Sequence, residues 1–276
     1  MSGVGMARLG RRLFEAVLAL FGCAVIGFLL LPILVIVPMS FNAAAVFEII
    51  PSQPSLEQYR RLLASPDWLE VLWRSIRIAA ITMVVATTVG TLAALGIVRL
   101  GWKARSFVEA LLIAPQIVPS IVIAAAAYYM FSMLGLVGST AGIVIMHSLV
   151  ALPFVVILVQ SRLQSISPDF AQASASLGAG PLRTFVLITL PQLRLAMIGA
   201  GVLAFHVSFD EVVLSLFLSG ARNKTLPVKL WDSILFEVSP LLPAISALVI
   251  LIPLVVVAPV MWLQRRARLS TDAGDH

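Results

Sequence analysis

Residues 17–39 read VLALFGCAVIGFLLLPILVIVPM and contain no charged side chain. Crossing the hydrocarbon core of a bilayer takes about 20 mostly apolar residues in a helix, and this run is long enough. Five further runs of similar character follow it along the chain. The six predicted spans cover residues 17–39, 76–98, 107–134, 140–160, 195–218 and 240–263. The sequence therefore predicts an all-α, polytopic membrane protein with six transmembrane helices, forming one domain over residues 1–276.

The composition of the whole chain agrees with this fold class and excludes a soluble domain. Of the 276 residues, 60% are hydrophobic and 12% are charged, whereas a soluble domain is typically about a quarter charged. The single cysteine excludes a disulfide within the chain, and the three histidines lack metal-ligand spacing. The net charge of +6 is explained by basic residues beside membrane spans, so nucleic-acid binding is not expected.

The distribution of Lys and Arg predicts the orientation of the spans. If the N-terminus lies inside, the inner segments carry twelve of the nineteen basic residues and the outer segments carry seven. This bias predicts that both termini are cytoplasmic. In the long outer connection, residues 40–75, Ser55 and Gln58 have capping-box spacing and predict a short helix at the membrane surface.

The longest predicted inner connection, residues 161–194, carries signals for two short helices. Ser167 is a good N-cap for the first, and Gly178 suits the left-handed conformation that ends it. A second helix is predicted over residues 182–190, with Pro191 ending it. Two short helices joined at a glycine would form a compact elbow. From these residues alone, an ordinary re-entry helix and a docking surface for another protein both remain open.

Three pieces of this connection carry a family resemblance: 177–179 (LGA), 181–185 (PLRTF) and 188–191 (ITLP). They resemble the EAA loop of permease subunits of binding-protein-dependent ABC importers, which implies a type I ABC importer permease fold. In that family the loop forms a coupling helix that docks into a groove of the ATPase. The resemblance assigns ATPase coupling to Gln172, Ala173, Ser174, Leu177, Gly178, Ala179, Phe185 and Pro191.

The chain departs from the family pattern at the start of that motif. Aligned on residues 177–179, the usual Glu-Ala-Ala falls on Gln172-Ala173-Ser174. The Glu is thus replaced by Gln172, whose amide is uncharged, so a salt bridge from this position to the ATPase is not implied. The docking role of the helix is still implied.

The resemblance also implies partners, because the chain has no ATP-hydrolysing motif of its own. The nearest match to a nucleotide-binding loop, residues 220–225, lacks the required spacing. No protease or hydrolase motif is present, so we expect no catalytic residue, no cofactor and no metal site. The implied partners are ABC ATPase subunits, a second permease subunit in a heterodimer, an extracytoplasmic substrate-binding protein and membrane lipid.

Two later segments resemble one branch of that family more closely. Residues 208–213 (SFDEVV) and 225–228 (TLPV) look like the C-type subunit of spermidine/putrescine permeases, which implies a polyamine substrate. Permeases for opines, aminoethylphosphonate or ferric ion share much of this sequence pattern and remain alternatives. An ion-coupled secondary transporter or channel is the alternative from another class.

Acidic residues interrupt the predicted fifth span and are candidates for the substrate path. An ionisable group inside a span is costly and points to function by default. We expect Asp210, alone or with Glu211, to line the path and attract a cation; an inter-subunit hydrogen bond or a helix break is the other interpretation. His206 lies one turn before Asp210, so an i,i+4 contact is possible. We expect His206 and His147 to be buried, neutral and hydrogen-bonded.

Overall fold

The structure is a computed structural model and describes residues 3–43, 48–236 and 239–272. Residues 44–47 of the predicted outer connection lie outside the described residues. Within the described ranges the chain forms twelve α-helices and one π-helical segment, with no β-strand beyond an isolated bridge. The α-helices are α1 (Gly3–Met39), α2 (Glu57–Leu63), α3 (Pro66–Ile97), α4 (Trp102–Ile117), α5 (Ser120–Met133), α6 (Thr140–Gln164), α7 (Asp169–Ser176), α8 (Pro181–Thr184), α9 (Leu190–Phe209), α10 (Val213–Leu218), α11 (Leu226–Phe236) and α12 (Leu242–Asp272).

Five described helical stretches are long and apolar enough to cross a membrane: Leu13–Met39, Pro66–Ile97, Thr140–Gln164, Pro181–Phe209 and Leu242–Trp262. A sixth candidate is the pair formed by α4 and α5, which are bent by 98° relative to each other. These stretches confirm the all-α, polytopic fold, and the number of spans is six when the bent pair is counted as one.

The third predicted span, residues 107–134, differs from a single helix because it breaks at Pro119. Proline has no N–H, and it pushes the residue before it out of the helical conformation. Val118 accordingly has an extended backbone, with φ −73° and ψ 132°. The helix therefore ends at Ile117, and α5 begins at Ser120 in a new direction.

The fifth predicted span, residues 195–218, differs from the structure in two ways: its helix begins earlier, and it is interrupted at residues 210–212. Its helix begins far earlier, since α8, the π segment Phe185–Thr189 and α9 follow one another without interruption. Pro191 therefore does not end a helix, contrary to the prediction, and lies in the first turn of α9. The physical reason is the π segment, where Leu190 N–H donates to Phe185 O, five residues back. An α-helix would require a backbone N–H at position 191, which proline lacks. The wider π turn just before Pro191 changes the hydrogen-bond pattern so that this N–H is not needed.

The chain divides into two compact units, Met1–Ser65 with Val238–Ile250 and Pro66–Glu237 with Leu251–His276. In the smaller unit, the hydroxyls of Ser40 and Tyr59 lie 2.7 Å apart. The predicted surface helix is α2, but the capping box does not form. Ser55 Oγ accepts from Glu57 N–H at 3.1 Å, and Gln58 is buried.

The core of the larger unit is built from α3, α6 and α9, which approach closely through small residues. A Cβ added at Gly90 would lie 2.6 Å from Val155 Cγ1, and one at Gly201 would lie 3.0 Å from Thr87 Oγ1. Lipid is as apolar as the side chains, so packing between spans rests on van der Waals contact rather than on the hydrophobic effect. Small residues at these positions make that contact possible.

We expect Gly90→Ala to destabilise the chain and Gly96→Ala, on the same helix, not to. Alanine favours a helix interior over glycine by about 1 kcal/mol at both sites. At Gly90 this gain is opposed by overpacking against Val155, a type of change that typically costs about 1–3 kcal/mol. At Gly96 no neighbouring atom lies within 4 Å of the new methyl group. The measurement is the thermal unfolding midpoint in detergent, and equal midpoints for the two variants would contradict this packing.

Candidate functional site

The predicted elbow is present as α7, a turn and α8. The hydroxyl of Ser167 accepts from Asp169 N–H at 3.2 Å just before α7. Gly178 has φ +77°, a left-handed conformation that side chains with a Cβ rarely adopt, and it reverses the chain. Ser174 is buried, and its Oγ lies 2.7 Å from Thr184 Oγ1 on α8. This hydrogen bond joins the two arms of the elbow.

The elbow presents large apolar side chains to its surroundings. Leu177 is 87% exposed, Leu182 is 76% exposed and Phe170 is 52% exposed. Patches of exposed large apolar residues on a polar segment are typical of protein–protein contact sites. The elbow therefore carries an apolar surface that its own chain leaves uncovered.

The other face of the elbow lies against the ends of α3 and α6. Together they enclose a groove of about 430 Å³. It is lined by Leu95, Val98, Arg99, Leu163, Ala171, Ala175, Ala179, Pro181, Thr184, Phe185 and Thr189. The small side chains of α7 on this face let the elbow sit close to the spans.

The structure places the eight predicted coupling residues in two groups. Six lie in α7 and its turn, where Gln172, Ala173, Leu177 and Gly178 are exposed, Ala179 is half-buried and Ser174 is buried. Phe185 is half-buried and Pro191 is exposed, and both belong to the helix that continues into the fifth span. The helical chain is thus continuous from Pro181 of the elbow into this span.

The acidic pair lies in a break between two helices rather than inside one. Asp210 follows the end of α9, and its N–H donates to His206 O at 3.1 Å. Glu211 Oε1 accepts from Leu214 N–H at 3.0 Å and so caps the start of α10. His206 is exposed, so the expectation that it is buried is wrong. Among the described residues, no hydrogen bond or ion pair joins the side chains of His206 and Asp210.

His147 on α6 bridges that break. Its side chain is buried, with 1% exposed. Nδ1 lies 2.8 Å from Ser208 Oγ on α9, and Nε2 lies 3.0 Å from Ser215 Oγ on α10. The prediction of a buried, hydrogen-bonded His147 is confirmed, but its two partners could not be found in the sequence because they lie more than 60 positions away.

A cavity of about 350 Å³ lies where the breaks in the third and fifth spans meet. Its lining residues are Pro115, Gln116, Ile117, Val118, Pro119, Ser120, Ile123, Val150, Glu211 and Leu214. Glu211 supplies a carboxylate, and Gln116 Nε2 donates a hydrogen bond to Val150 O at 2.8 Å. Asp210 is exposed and is not among these residues. In the part of the chain that the structure describes, no group of His, Cys, Asp or Glu could hold a metal ion.

A charged cleft of about 480 Å³ lies at the beginning of α3, the end away from the elbow. It brings together three carboxylates and four cations: Asp67, Glu70, Asp232, Arg74, Arg222, Lys224 and Lys229. Lys224 Nζ lies 2.6 Å from Asp232 Oδ2, and Arg74 pairs with Glu70. No sequence pattern predicts this cleft, because α3 and residues 221–236 are far apart in the chain.

Lys229 is the most perturbed cation of that cleft. Its Nζ lies 4.4 Å from the centre of the Trp68 ring. Burial lowers the pKa of the Lys229 ammonium, and the nearby carboxylates of Asp67 and Glu70 oppose this shift. The face of the Trp68 ring attracts this cation.

The family model for the inner membrane component of binding-protein-dependent transport systems matches residues 86–268. The spermidine/putrescine transport system permease protein PotC of Escherichia coli strain K12 is 29% identical over 255 residues, which cover 92% of this chain and 96% of PotC. The putrescine transport system permease protein PotI of the same strain is 29% identical over 230 residues, 81% of this chain and 82% of PotI. A crystal structure of a bacterial alginate ABC transporter in complex with an alginate-bound periplasmic protein contains a chain that aligns with TM-score 0.66 and 16% identity, covering 93% of this chain and 95% of that one.

Proposed function

Because this chain belongs to the family of inner membrane components of binding-protein-dependent transport systems, we propose that it is the permease subunit of an ATP-driven importer. It forms the translocation path in the bacterial inner membrane, and separate ABC ATPase subunits hydrolyse the ATP. The observation that carries this proposal is the continuity of the elbow with the fifth span. A displacement of α8 is passed through the π segment to α9 and hence to the break at residues 210–212.

The exposed apolar surface of the elbow is the proposed ATPase contact. Leu177, Leu182 and Phe170 supply the apolar area, and Gln172 and Ala173 lie beside them on the exposed part of α7. Because position 172 carries an uncharged amide, the docking energy comes from apolar burial rather than from a salt bridge at this position. Docking here orients the elbow, and with it both chain termini, toward the cytoplasm.

Replacing Leu177 by Asp is expected to remove the ATPase from the purified transporter. The change puts a charge into the proposed contact, where it would be buried without a partner. The chain is purified in mild detergent from native membranes, and an ATPase with a nucleotide-binding loop is quantified by mass spectrometry. Leu134→Asp, a change of another exposed leucine (62%) in the turn after α5, is the matched control and should retain it.

The two outcomes separate the proposal from its main alternative. An ATPase retained by the wild type and by Leu134→Asp, but reduced about tenfold or more in Leu177→Asp, supports docking at the elbow. If no ATPase accompanies the folded wild type, the importer proposal fails. An ion-coupled transporter or channel then becomes the better account of the chain.

The remaining partners are also proposals. Most large apolar side chains of α1 from Leu13 onward are exposed, so we infer that lipid or a second permease subunit covers them. We infer a heterodimer with a second permease chain, as the family resemblance implies. The charged cleft lies at the end of α3 opposite the elbow, and a helix of 32 residues is about 48 Å long. It therefore faces the extracytoplasmic side, where a substrate-binding protein can dock.

The proposed substrate is a polyamine such as spermidine or putrescine. The relatives PotC and PotI are named for transport of these compounds. In this chain, Asp210 and Glu211 put two carboxylates at the break in the fifth span, and His206 is exposed one turn earlier. Carboxylates at such a position attract cations and repel anions. The path residues are therefore Asp210, Glu211 and His206.

Asp210→Asn is expected to lower polyamine uptake several-fold without loss of the ATPase. The substitution keeps the shape of the side chain and removes its charge, so it weakens the attraction of a cation to the path. Uptake of radiolabelled putrescine is measured in cells that lack other polyamine importers. Glu15→Gln, an exposed carboxylate on α1, is the control. Unchanged uptake in Asp210→Asn would remove this residue from the path, and wild-type uptake of an opine, aminoethylphosphonate or ferric ion in place of putrescine would reassign the substrate.

A further inference from the structure

We propose that the cavity between the two broken spans is the binding site for an ammonium group of the substrate, that Glu211 is the carboxylate that contacts it, and that His147 is the positioning residue that holds Glu211 there. This inference rests on the proposed function. It gives Asp210 and Glu211 different roles, which their sequence alone does not distinguish. It also gives a role to a histidine that the transport path does not otherwise need.

The sign of the cavity is set by Glu211. No Lys, Arg or His is among the lining residues. The end of α4 and the beginning of α5 meet at the break and carry opposite partial charges, so their dipoles largely offset one another. The carbonyl of Pro115 adds an acceptor, because its helical partner would be the N–H that Pro119 lacks. The cavity is therefore suited to a cation that donates hydrogen bonds, such as an ammonium group.

The lining also indicates which cation fits. One oxygen of Glu211 is used by Leu214 N–H, which leaves the other for a ligand. An alkylammonium needs one carboxylate and apolar walls for its methylene groups, which Ile117, Ile123 and Leu214 supply. A ferric ion would need several anionic ligands, and among the described residues Glu211 is the only carboxylate that lines this cavity. The volume of about 350 Å³ accommodates one end of a linear polyamine.

Asp210 stands outside this site. Its side chain is exposed, and it does not line the cavity. Of the two neighbouring carboxylates, Glu211 lines the cavity and Asp210 does not. Asp210 attracts the cation at the surface of the break, and Glu211 binds it inside.

His147 holds the break in the shape that this site requires. Residues 210–212 lie between two helices, where the backbone ladder is interrupted, although Asp210 N–H still donates to His206 O and Val212 O accepts from Leu216 N–H. The imidazole joins the two sides through the buried hydroxyls of Ser208 and Ser215. A hydroxyl can donate or accept, so both ring nitrogens of a neutral histidine are satisfied. Glu211 is four residues before Ser215, on the segment that this bridge anchors.

The test is putrescine uptake by the complete transporter in proteoliposomes, with KM and Vmax measured for each variant. Glu211→Gln keeps the acceptor that caps α10 and is expected to raise KM about tenfold, the order of loss when a charge-assisted hydrogen bond becomes a neutral one. Asp210→Asn is expected to raise KM less. His147→Leu is expected to raise KM about three- to tenfold with Vmax changed less than about twofold, since it acts on binding geometry.

Further variants separate positioning from a general structural role. Ser148 is the matched control, because it is the next residue on α6, it is buried and its hydroxyl has no hydrogen-bond partner among the described residues. Ser148→Ala should leave KM unchanged. In the double variant His147→Leu, Glu211→Gln, KM should equal that of Glu211→Gln alone, because the bridge acts through Glu211. If His147→Leu does not accumulate, Ser215→Ala removes one half of the bridge and should raise KM in the same direction.

The outcomes that overturn the inference are distinct from failure of the proposed function. If the wild type takes up putrescine and Glu211→Gln leaves KM unchanged, Glu211 is not part of the site. The same conclusion follows if Asp210→Asn raises KM more than Glu211→Gln does. A fall in Vmax with unchanged KM in His147→Leu, or multiplicative effects in the double variant, makes the histidine a structural residue only. Absence of putrescine uptake by the wild type contradicts the polyamine substrate itself, and the ammonium site with it.

Discussion

A backbone group that leaves its helix inside a bilayer must find another partner, because lipid offers none. This constraint bears on the third and fifth spans, which break at Pro119 and at residues 210–212. The two breaks meet at one cavity, and side chains form hydrogen bonds around it. Glu211 accepts from Leu214 N–H at the start of α10, and Gln116 donates to Val150 O on α6. The imidazole of His147 bonds to the hydroxyls of Ser208 and Ser215 on the two sides of the second break.

The same constraint explains how a surface event can reach the cavity. The elbow is not a separate hinge, because α8 runs through the π segment into α9 without interruption. Because this helix is continuous, we expect a movement of the elbow to reach the break after Phe209, where the helix ends. The His147 bridge joins the two sides of that break. Close packing at Gly90 and Gly201 joins α3 to α6 and to α9.

Much of this architecture could be predicted from the sequence, for identifiable reasons. Apolar runs of membrane length predict the spans, and capping residues such as Ser167 and Gly178 predict the elbow. Pro119 carried a signal for a break, but proline is also frequent in unbroken spans, so the 98° bend was not predictable. Pro191 was misleading because its meaning depends on the π segment, which has no sequence signature.

The parts of the site that the sequence did not predict are those assembled from distant segments. The partners of His147 lie on α9 and α10, and Lys229 meets Trp68 across most of the chain. Glu211 and Asp210 are neighbours with the same charge, so only the three-dimensional placement of the break distinguishes the one that lines the cavity. Pairings of this kind are a property of tertiary packing and leave no periodic pattern.

The most direct test of the account is whether the elbow and the break move together. The exposed Cys23 is first replaced by Ser, so that spin labels attach only at introduced cysteines. One labelled pair joins Ala173 on α7 to Leu92 on α3 and reports the position of the elbow. The other pair joins Leu216 on α10 to Leu92 and reports the position of the break. In the complete transporter, ATP binding is predicted to change both distances, because α8, the π segment and α9 form one continuous helix. A change at the elbow with an unaltered distance to Leu216 would contradict the account.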